Sequence, residues 1–334
     1  MDLVKSIFQN SITQQSQWNT LSESCHDNIR SVLSQKGFIN VDGHKFVKDR
    51  TRIFLDLVDD VTSLVSLNDL TTNDILITDT QISRPINARV FNVPRSWMGV
   101  FGHRPEYYQF DSLKDYSLLT NRIDPNRMRI MMCLNRYKHL HDGIINFNCV
   151  MPDNWTQHCD EIAIQNWDRN WSEMSDTLQA KYSREYGRLR AKMPLRNHDW
   201  SHDQALQASQ FNMVIETFHG DESVRFSEKT FAAIVLPRPW AIFAGRWATV
   251  CLRRWGFDTL DDLVAHEFDC RTHSDFKHET YVENCVHSMQ PIDHHLQRLE
   301  QAATHNQNLL LGWREHWEKD FQNWLDFVDQ NIVG

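Results

Sequence analysis

The part of the chain that most constrains its fold is residues 211–257, where short apolar runs alternate with polar or proline-containing breaks. Residues 211–218 form an apolar run of the length of a buried strand, and residues 240–244 form a second one. Between the two runs, Ser227 opens a helical pattern that Pro237 stops, and a further helical pattern follows the second run. Strand, helix and strand in this order predict a βαβ unit. Such units build parallel sheets, which hold ligands at the carboxyl ends of their strands.

Two charged residues, Glu228 and Lys229, lie at the predicted amino terminus of the helix in this unit. Free backbone N–H groups and the helix dipole favour a phosphate group at such a position. Lys229 can place a positive charge against a phosphate oxygen, and Glu228 can accept hydrogen bonds from ribose hydroxyls. The residues alone also allow a structural interpretation, in which Ser227 caps the helix, Glu228 suits the dipole and Lys229 is solvated.

Sequence phrases in this stretch resemble the nucleotide-sugar half of the α-1,3-fucosyltransferase family and of related glycosyltransferases from phages and large viruses. Residues 211–217 (FNMVIET) match a family strand that ends in a phrase such as FEN, and residues 227–230 (SEKT) match the family phrase TEK. Residues 252–260 (LRRWGFDTL) resemble the phage-type relatives in particular. The resemblance implies an α/β, GT-B-like fold with two Rossmann-like domains, a central cleft and long C-terminal helices. It also implies inverting transfer of a sugar from a nucleoside diphosphate sugar, linked to GDP or UDP, to an acceptor hydroxyl.

The family also has an Asn-containing phrase at the end of the first strand of its donor domain, followed a few residues later by an Arg that contacts the donor phosphates. Here residues 129–134 are predicted to be that strand, and Asn135 matches the Asn. The position expected for the Arg falls near His141, so that Arg136 or Lys138 would serve instead; a solvated basic loop is the alternative. By resemblance, the donor-binding residues are Glu216, Ser227, Glu228, Lys229, Asn135, Arg136, Lys138 and His141.

Transfer to a hydroxyl needs a base that faces the cleft, besides groups that stabilise the diphosphate and hold the reactants in line. The polar loop at residues 103–108 (HRPEYY) follows an apolar run and offers Glu106, which we prefer as the base, and His103 as the alternative. Loops often carry functional residues, but an ordinary surface loop would have the same composition. Further carboxylates in the first part of the chain are also candidates for the base: Asp74, Asp79 and Asp111.

The 334 residues suffice for two domains, which we place at residues 1–126 and 127–312. The first would be the acceptor-side α/β domain and the second the nucleotide-sugar-binding domain, joined near Asp124. Within the second, Trp, Tyr and Leu recur every three or four residues over 155–193, which predicts an amphipathic helical insertion. Residues 313–334 are predicted to form a C-terminal helix that packs back on the first domain.

Composition and motifs argue against several other classes of protein. The net charge of −9 argues against non-specific binding of nucleic acid by the whole surface. Seven cysteines, an odd number without a CxxC pair, predict reduced thiols and not a disulfide framework or a zinc site. No run approaches the ~20 apolar residues of a membrane span, and the amino terminus lacks the pattern of a signal peptide. We therefore expect a cytoplasmic protein of a bacterium or of a virus-infected host cell.

No metal ion or cofactor is expected in the transfer reaction. The chain has no Asp-x-Asp triplet, and its histidines between residues 266 and 295 have neither HExxH spacing nor regular intervals. The sequence thus predicts a metal-independent transferase that acts on a glycan or, because of a basic patch near Arg136, on a modified base of DNA. Two alternatives stay open: a catalytically inactive glycan- or nucleotide-binding module on the same fold, and a metal-dependent hydrolase that uses the histidines.

Overall fold

The protein is an α/β protein, and the strands among its described residues form two five-stranded sheets, one in each of two compact units, and a two-stranded sheet. The first unit consists of Met1–Arg104, Glu222–Phe231 and Gln307–Gly334, and the second of Pro105–Asp221 and Ala232–Asn306. The computed structural model describes residues 30–31, 33–35, 37–41, 45–56, 69–78, 81–82, 87–92, 110, 112–120, 124–147, 158–192, 195–196, 202–216, 223–270 and 275–312.

The strands of the first unit are β1 (Ile39–Asn40), β2 (Lys45–Lys48), β3 (Thr51–Asp56), β4 (Asp74–Thr78), β5 (Gln81–Ile82), β6 (Arg89–Asn92) and β11 (Ser223–Val224). The five-stranded sheet has the order β1-β2-β3-β4-β6, antiparallel from β1 to β3 and parallel from β3 to β6. β5 and β11 form a separate antiparallel pair. Phe54, Leu70 and Leu76 share a buried apolar cluster, against which Ala88 packs.

Asp74, one of the carboxylates considered as a base, is the buried partner of an ion pair between neighbouring strands. Its Oδ1 accepts a hydrogen bond from Arg52 Nε at 2.7 Å, and its Oδ2 accepts one from the Thr71 N–H at 2.6 Å. Burial alone would raise the pKa of Asp74, but these partners lower it. A carboxylate held in its charged form by such bonds stabilises the pairing of β3 and β4, and it does not suit a general base.

The strands of the second unit are β7 (Tyr116–Thr120), β8 (Gly143–Phe147), β9 (Leu195–Arg196), β10 (Asn212–Ile215) and β12 (Trp240–Phe243). They form a sheet of order β12-β10-β7-β8-β9, in which every neighbouring pair is parallel except β8 with β9. All residues of β10 and β12 are buried. Parallel strands covered on both faces have continuous apolar sequences, and this explains why the sequence pattern found these two strands.

Besides helical residues at 30–31 and 33–35, the described part of the chain contains the helices α1 (Pro125–Arg136), α2 (His158–Ser172), α3 (Asp176–Arg190), α4 (His202–Gln207), α5 (Glu228–Ile234), α6 (Ala248–Arg254), α7 (Asp275–Ser288) and α8 (residues 296–312). The predicted βαβ unit is confirmed, because α5 joins the parallel strands β10 and β12. Residues 155–193, predicted to be helical, contain α2 and α3, and their aromatic rings pack: Trp171 stacks on Tyr186 with ring centroids 4.2 Å apart. Within the part of the chain that the structure describes, no helix combines the length and hydrophobicity that a bilayer crossing requires.

Residues 129–134 were predicted to be a strand, and that prediction is wrong because they lie in α1. Asp124 caps this helix: its Oδ1 accepts hydrogen bonds from the N–H groups of Asn126 and Arg127, both at 2.9 Å. Pro125 occupies the first helical position, where its fixed φ is favourable. Residues 130–134 are all buried, so the apolar run has no helical period and resembles a buried strand.

Several predictions fall outside the described residues and stay predictions. They concern the proposed bases His103 and Glu106, the carboxylates Asp79 and Asp111, and the C-terminal helix at residues 313–334. The domain boundary predicted at residue 126 lies inside α1, which belongs to the second unit, whereas the first division between the units follows Arg104.

Candidate functional site

The sheet of the second unit reverses its strand order next to β7. From β7 the chain passes through α1 to β8 on one side, and it later returns to β10 and β12 on the other side. In open parallel sheets, ligands bind outside the carboxyl ends of the strands at such a reversal. Here β7 leads to the start of α1, β10 leads to Glu216, and β12 leads to Ala244. These segments, which we call the carboxyl edge, form the candidate functional site.

Glu216, predicted from the sequence as a donor-binding residue, lies on the carboxyl edge directly after β10. Its side chain is 1% exposed. Its backbone N–H donates a hydrogen bond to the Phe243 carbonyl at 2.9 Å, which continues the pairing of β10 with β12 by one residue. The backbone of Glu216 is therefore fixed by the sheet, and its carboxylate is a buried acceptor at the point where the strand order reverses.

The start of α1 contributes a buried guanidinium to the carboxyl edge. Arg127 is 1% exposed, and its Nη1 lies 3.2 Å from Oδ2 of Asp124. Asp124 thereby serves two purposes, since its Oδ1 also caps the helix. A cation at a helix amino terminus is repelled by the positive end of the helix dipole. The Asp124 carboxylate offsets the charge of Arg127 and the positive potential of this helix end.

The start of α7 contributes a buried lysine and a buried histidine. Lys277 donates a hydrogen bond from Nζ to the Ala244 carbonyl at 2.9 Å, and its Nζ lies 5.4 Å from the centroid of the Phe243 ring. His278 packs on the same ring at 4.6 Å, and its Nε2 lies 3.0 Å from Oδ1 of Asn126. Both side chains are fully buried. They join the first turn of α7 to the end of β12 and to the first turn of α1.

Asp269 is a second buried carboxylate near this edge. Its Oδ2 accepts a hydrogen bond from the Thr249 N–H at 3.0 Å in the first turn of α6. Burial raises the pKa of Asp269 to about 6, although the positive charge of Lys277 and the bonds from the start of α6 act in the opposite direction. The carboxylate is therefore poised between its neutral and charged forms close to neutral pH, a property more frequent in functional sites than elsewhere.

Opposite charges are paired at the carboxyl edge. Nη1 of Arg127 lies beside Asp124, and the positive charge of Lys277 acts on the carboxylate of Asp269. Both cations are inaccessible to solvent and lie in the first turns of α1 and α7, so they hold the edge in place. The amino-terminal turns of these helices add positive potential, which favours an anion such as phosphate.

The loop after β12 presents an exposed aromatic ring on the carboxyl edge. Trp247 has φ 70° and ψ 19°, a left-handed conformation that is unfavourable for a large side chain. Its N–H donates to the Asp269 carbonyl at 3.0 Å, and its side chain is 37% exposed. The guanidinium of Arg246 lies 4.9 Å from the ring centroid and bonds the Cys270 carbonyl at 2.8 Å through Nε. An exposed indole beside a guanidinium suits stacking on a planar ring or a sugar.

The predicted phosphate-binding residues of α5 lie in the segment of the chain that belongs to the first unit. Glu228 is the first residue of the helix, and Ser227 precedes it. The Lys229 N–H donates to Ser227 Oγ at 3.3 Å, so Ser227 is the amino-terminal cap that the sequence suggested. The capping role is part of the structural interpretation, and donor binding by Glu228 and Lys229 stays a prediction.

The other predicted donor-binding residues lie at the opposite edge of the second sheet. Asn135 and Arg136 end α1, and Lys138 and His141 belong to the turn that leads to the start of β8. Arg136 donates from Nη1 to Glu279 at 3.0 Å, and His141 Nε2 lies 2.8 Å from Lys192 Nζ. The prediction that they follow the carboxyl end of a strand is wrong, because the strand assigned before them is the helix α1.

Two of the histidines between residues 266 and 295 pack their side chains against aromatic rings. One is His278, described above. The ring of the other, His266, lies 5.9 Å from the ring of Trp240 and 6.0 Å from that of Phe268, and its Nε2 is 2.9 Å from the Thr259 carbonyl. Burial of the side chain lowers the pKa of His266. For these two residues the structure confirms the packing interpretation.

Sequence reasoning missed the buried charges Arg127, Lys277 and Asp269. A signal existed for Arg127, since Asp124 followed by Pro125 marks a helix start and places Arg127 in the first turn. Lys277 and Asp269 lie in polar stretches without a local signal, and their roles depend on contacts with distant residues.

No family model, curated protein or solved structure matches this chain. The fold and the residues at the carboxyl edge are therefore the basis for any assignment of function.

Proposed function

We propose that the protein is an inverting glycosyltransferase of GT-B form, which transfers a sugar from a nucleoside diphosphate sugar to an acceptor hydroxyl. The observation that carries the proposal is the carboxyl edge of the second sheet, where three buried ionisable side chains, Glu216, Arg127 and Lys277, follow or flank the strands at the reversal of strand order. This is the position at which α/β sheets bind nucleotides. The resemblance of residues 211–260 to fucosyltransferase-like enzymes supports the same class of donor.

In this proposal, the leaving diphosphate is stabilised by the amino-terminal turns of the helices at the carboxyl edge and by direct contact with Arg246, which lies in the loop after β12 and is partly exposed. The sequence resemblance adds Lys229, in the first turn of α5, as a donor-binding residue. Fixed positive charges lower the barrier because they need no reorganisation when negative charge develops on the leaving group. Trp247 would stack on the nucleobase or on the sugar ring, and the base that deprotonates the acceptor would be Glu106 or His103.

Calorimetric titration of the full-length protein with GDP, UDP and their sugars tests donor binding. Replacement of Arg246 or of Lys229 by Ala is expected to weaken binding by about tenfold or more, because each removes a charged hydrogen-bond donor. Arg254→Ala and Arg188→Ala remove exposed cations away from the carboxyl edge and should leave the affinity unchanged. If no nucleotide or nucleotide sugar binds, the proposal fails.

Transfer itself is tested by the mass of products from a panel of sugar nucleotides and acceptors. A mass increase of one sugar on a glycan or on a modified DNA base identifies the acceptor class, and a steep loss of acceptor binding with salt indicates DNA. Nucleotide binding without transfer to either class would instead support a catalytically inactive binding module on the same fold.

A further inference from the structure

A second cluster of ionisable side chains lies at the amino edge of the second sheet, at the opposite end of β7 from the candidate site. It consists of Asp115, His139 and Asp142, each of which offers one ligand atom within 4.8 Å of the other two. Among the described residues this is the sole group of three or more His, Cys, Asp or Glu side chains that converge in this way. Its role does not depend on the proposed glycosyl transfer.

The fold brings the two carboxylates together through the pairing of β7 and β8. Asp115 directly precedes β7 and Asp142 directly precedes β8, and the first residues of these parallel strands are register partners. The Asp115 N–H also donates to the Asp142 carbonyl at 3.0 Å. The two side chains therefore leave neighbouring backbone positions at the same edge of the sheet.

His139 reaches the same place from the turn after α1. Its N–H donates to the Leu134 carbonyl at 3.1 Å, and Lys138 before it has φ 66°, the left-handed conformation that ends many helices. The Asp142 N–H donates to the His139 carbonyl at 3.2 Å. The backbone thus holds all three residues before any ligand binds.

The imidazole of His139 offers a nitrogen atom to this cluster, and its side chain as a whole is 34% exposed. Its Nδ1 is inaccessible to solvent and has no hydrogen-bond partner, although it lies 3.5 Å from Oδ2 of Asp142. A buried nitrogen without a partner is uncommon in folded proteins and calls for an explanation. Two carboxylates beside it, those of Asp115 and Asp142, supply negative charge.

We propose that Asp115, His139 and Asp142 bind one divalent transition-metal cation, with zinc as the best match. One imidazole nitrogen and two carboxylate oxygens suit zinc, which binds such ligands at about 2.0–2.2 Å and takes water at a fourth position. Calcium and magnesium prefer oxygen ligands alone. The bound cation would tie the segment before β7 to the segment before β8. The five residues of β7 separate it from the carboxyl edge by roughly 16 Å, so the cation would take no direct part in chemistry at that edge.

Cobalt is the probe for the coordination, because its visible absorption reports the ligand set. The full-length protein, freed of metal with a chelator, should bind one equivalent of Co²⁺ with d–d bands typical of nitrogen and oxygen ligands, and Zn²⁺ should displace it. His139→Ala should abolish this binding, and Asp142→Asn should weaken it at least tenfold. The matched controls His287→Ala and Asp293→Asn change exposed residues elsewhere in the second unit and should bind as the unchanged protein does.

Thermal unfolding gives an independent readout. At a Zn²⁺ concentration about 100-fold above Kd, the midpoint should rise by roughly 5 °C in the unchanged protein and stay constant in His139→Ala. A melting curve of His139→Ala without metal, equal to that of the unchanged protein, shows that the variant is folded. Absence of saturable binding, unchanged binding in His139→Ala, or thiolate-to-cobalt charge-transfer bands that indicate a cysteine site would each overturn the proposal.

Discussion

The ring of Tyr116, in β7, occupies the space where a side chain of residue 143 would lie, and it fits there because residue 143, in the neighbouring strand β8, is glycine. The two residues are register partners, and a Cβ atom built on Gly143 would lie 2.2 Å from Cζ of Tyr116. That distance is far inside van der Waals contact. The ring is fully buried, and its hydroxyl donates to the Leu140 carbonyl at 3.4 Å. The ring therefore has little freedom to move aside, and position 143 requires glycine for steric reasons.

Gly143→Ala is expected to lower the free energy of unfolding by at least about 2 kcal/mol, because the added methyl group overpacks a buried site. Urea denaturation measures the change. Gly187→Ala is the matched control, since a Cβ there meets nothing within 4 Å and the residue lies in α3, where alanine should be neutral or stabilising by up to about 1 kcal/mol. If the clash is the cause, the double variant with Tyr116→Ala will lose less than the sum of the single changes. An additive result would contradict this explanation.

Asp269 is expected to make the stability depend on pH between about 4 and 6. Burial raises its pKa from 3.8 to about 6, so the folded state binds a proton that the unfolded state releases in this interval. The stabilisation is complete below pH 3.8 and is lost as the pH rises through about 6. It amounts to about 3 kcal/mol, from 1.36 kcal/mol for each pKa unit.

The measurement is the free energy of unfolding of the unchanged protein and of Asp269→Asn, compared at pH 4.5 and pH 7. Relative to the variant, the unchanged protein should lose stability as the pH rises. His266 acts in the opposite direction, because its lowered pKa makes the protein lose stability as the pH falls below 6.5. Its contribution is common to both proteins and cancels in the difference. A difference that is constant with pH would show that Asp269 is charged throughout.

The left-handed backbone of Trp247 predicts a separation between stability and binding. Trp247→Gly should be more stable than Trp247→Ala by about 1 kcal/mol, because glycine adopts a positive φ without steric cost. If the indole stacks on the donor, both variants should lose affinity for the nucleotide sugar to a similar extent. Thermal melts and calorimetry measure the two effects separately. Equal affinity of the glycine variant and the unchanged protein would remove Trp247 from the proposed site.

The strands that could be predicted from the sequence are those whose residues are all buried. β10 and β12 are buried along their whole length. Their apolar runs, bounded by Gly, Pro and polar residues, were therefore sufficient to predict them as strands. α1 was mistaken for a strand for the same reason, since residues 130–134 are buried on all sides and show no period. The cap formed by Asp124 and Pro125 was the local signal that distinguishes the two.

The site could be predicted only in part, because its charges are paired over long distances along the chain. Glu216 was proposed from the family resemblance of residues 211–217; the structure places it directly after β10, and donor binding by it stays a prediction. Lys277 bonds a carbonyl 33 residues away, and His278 contacts a side chain 152 residues away. Contacts of this kind depend on the order in which the strands pair, and no local pattern of residues encodes that order.

The division of the chain between the two units has a consequence for its synthesis. A ribosome completes the last segment of the second unit at Asn306, when the final segment of the first unit, Gln307–Gly334, is still untranslated. The last segment of the second unit is thus made before the last segment of the first. A chain truncated after Asn306 should therefore still resist a protease over the sheet of the second unit, and should be cut first within the first unit.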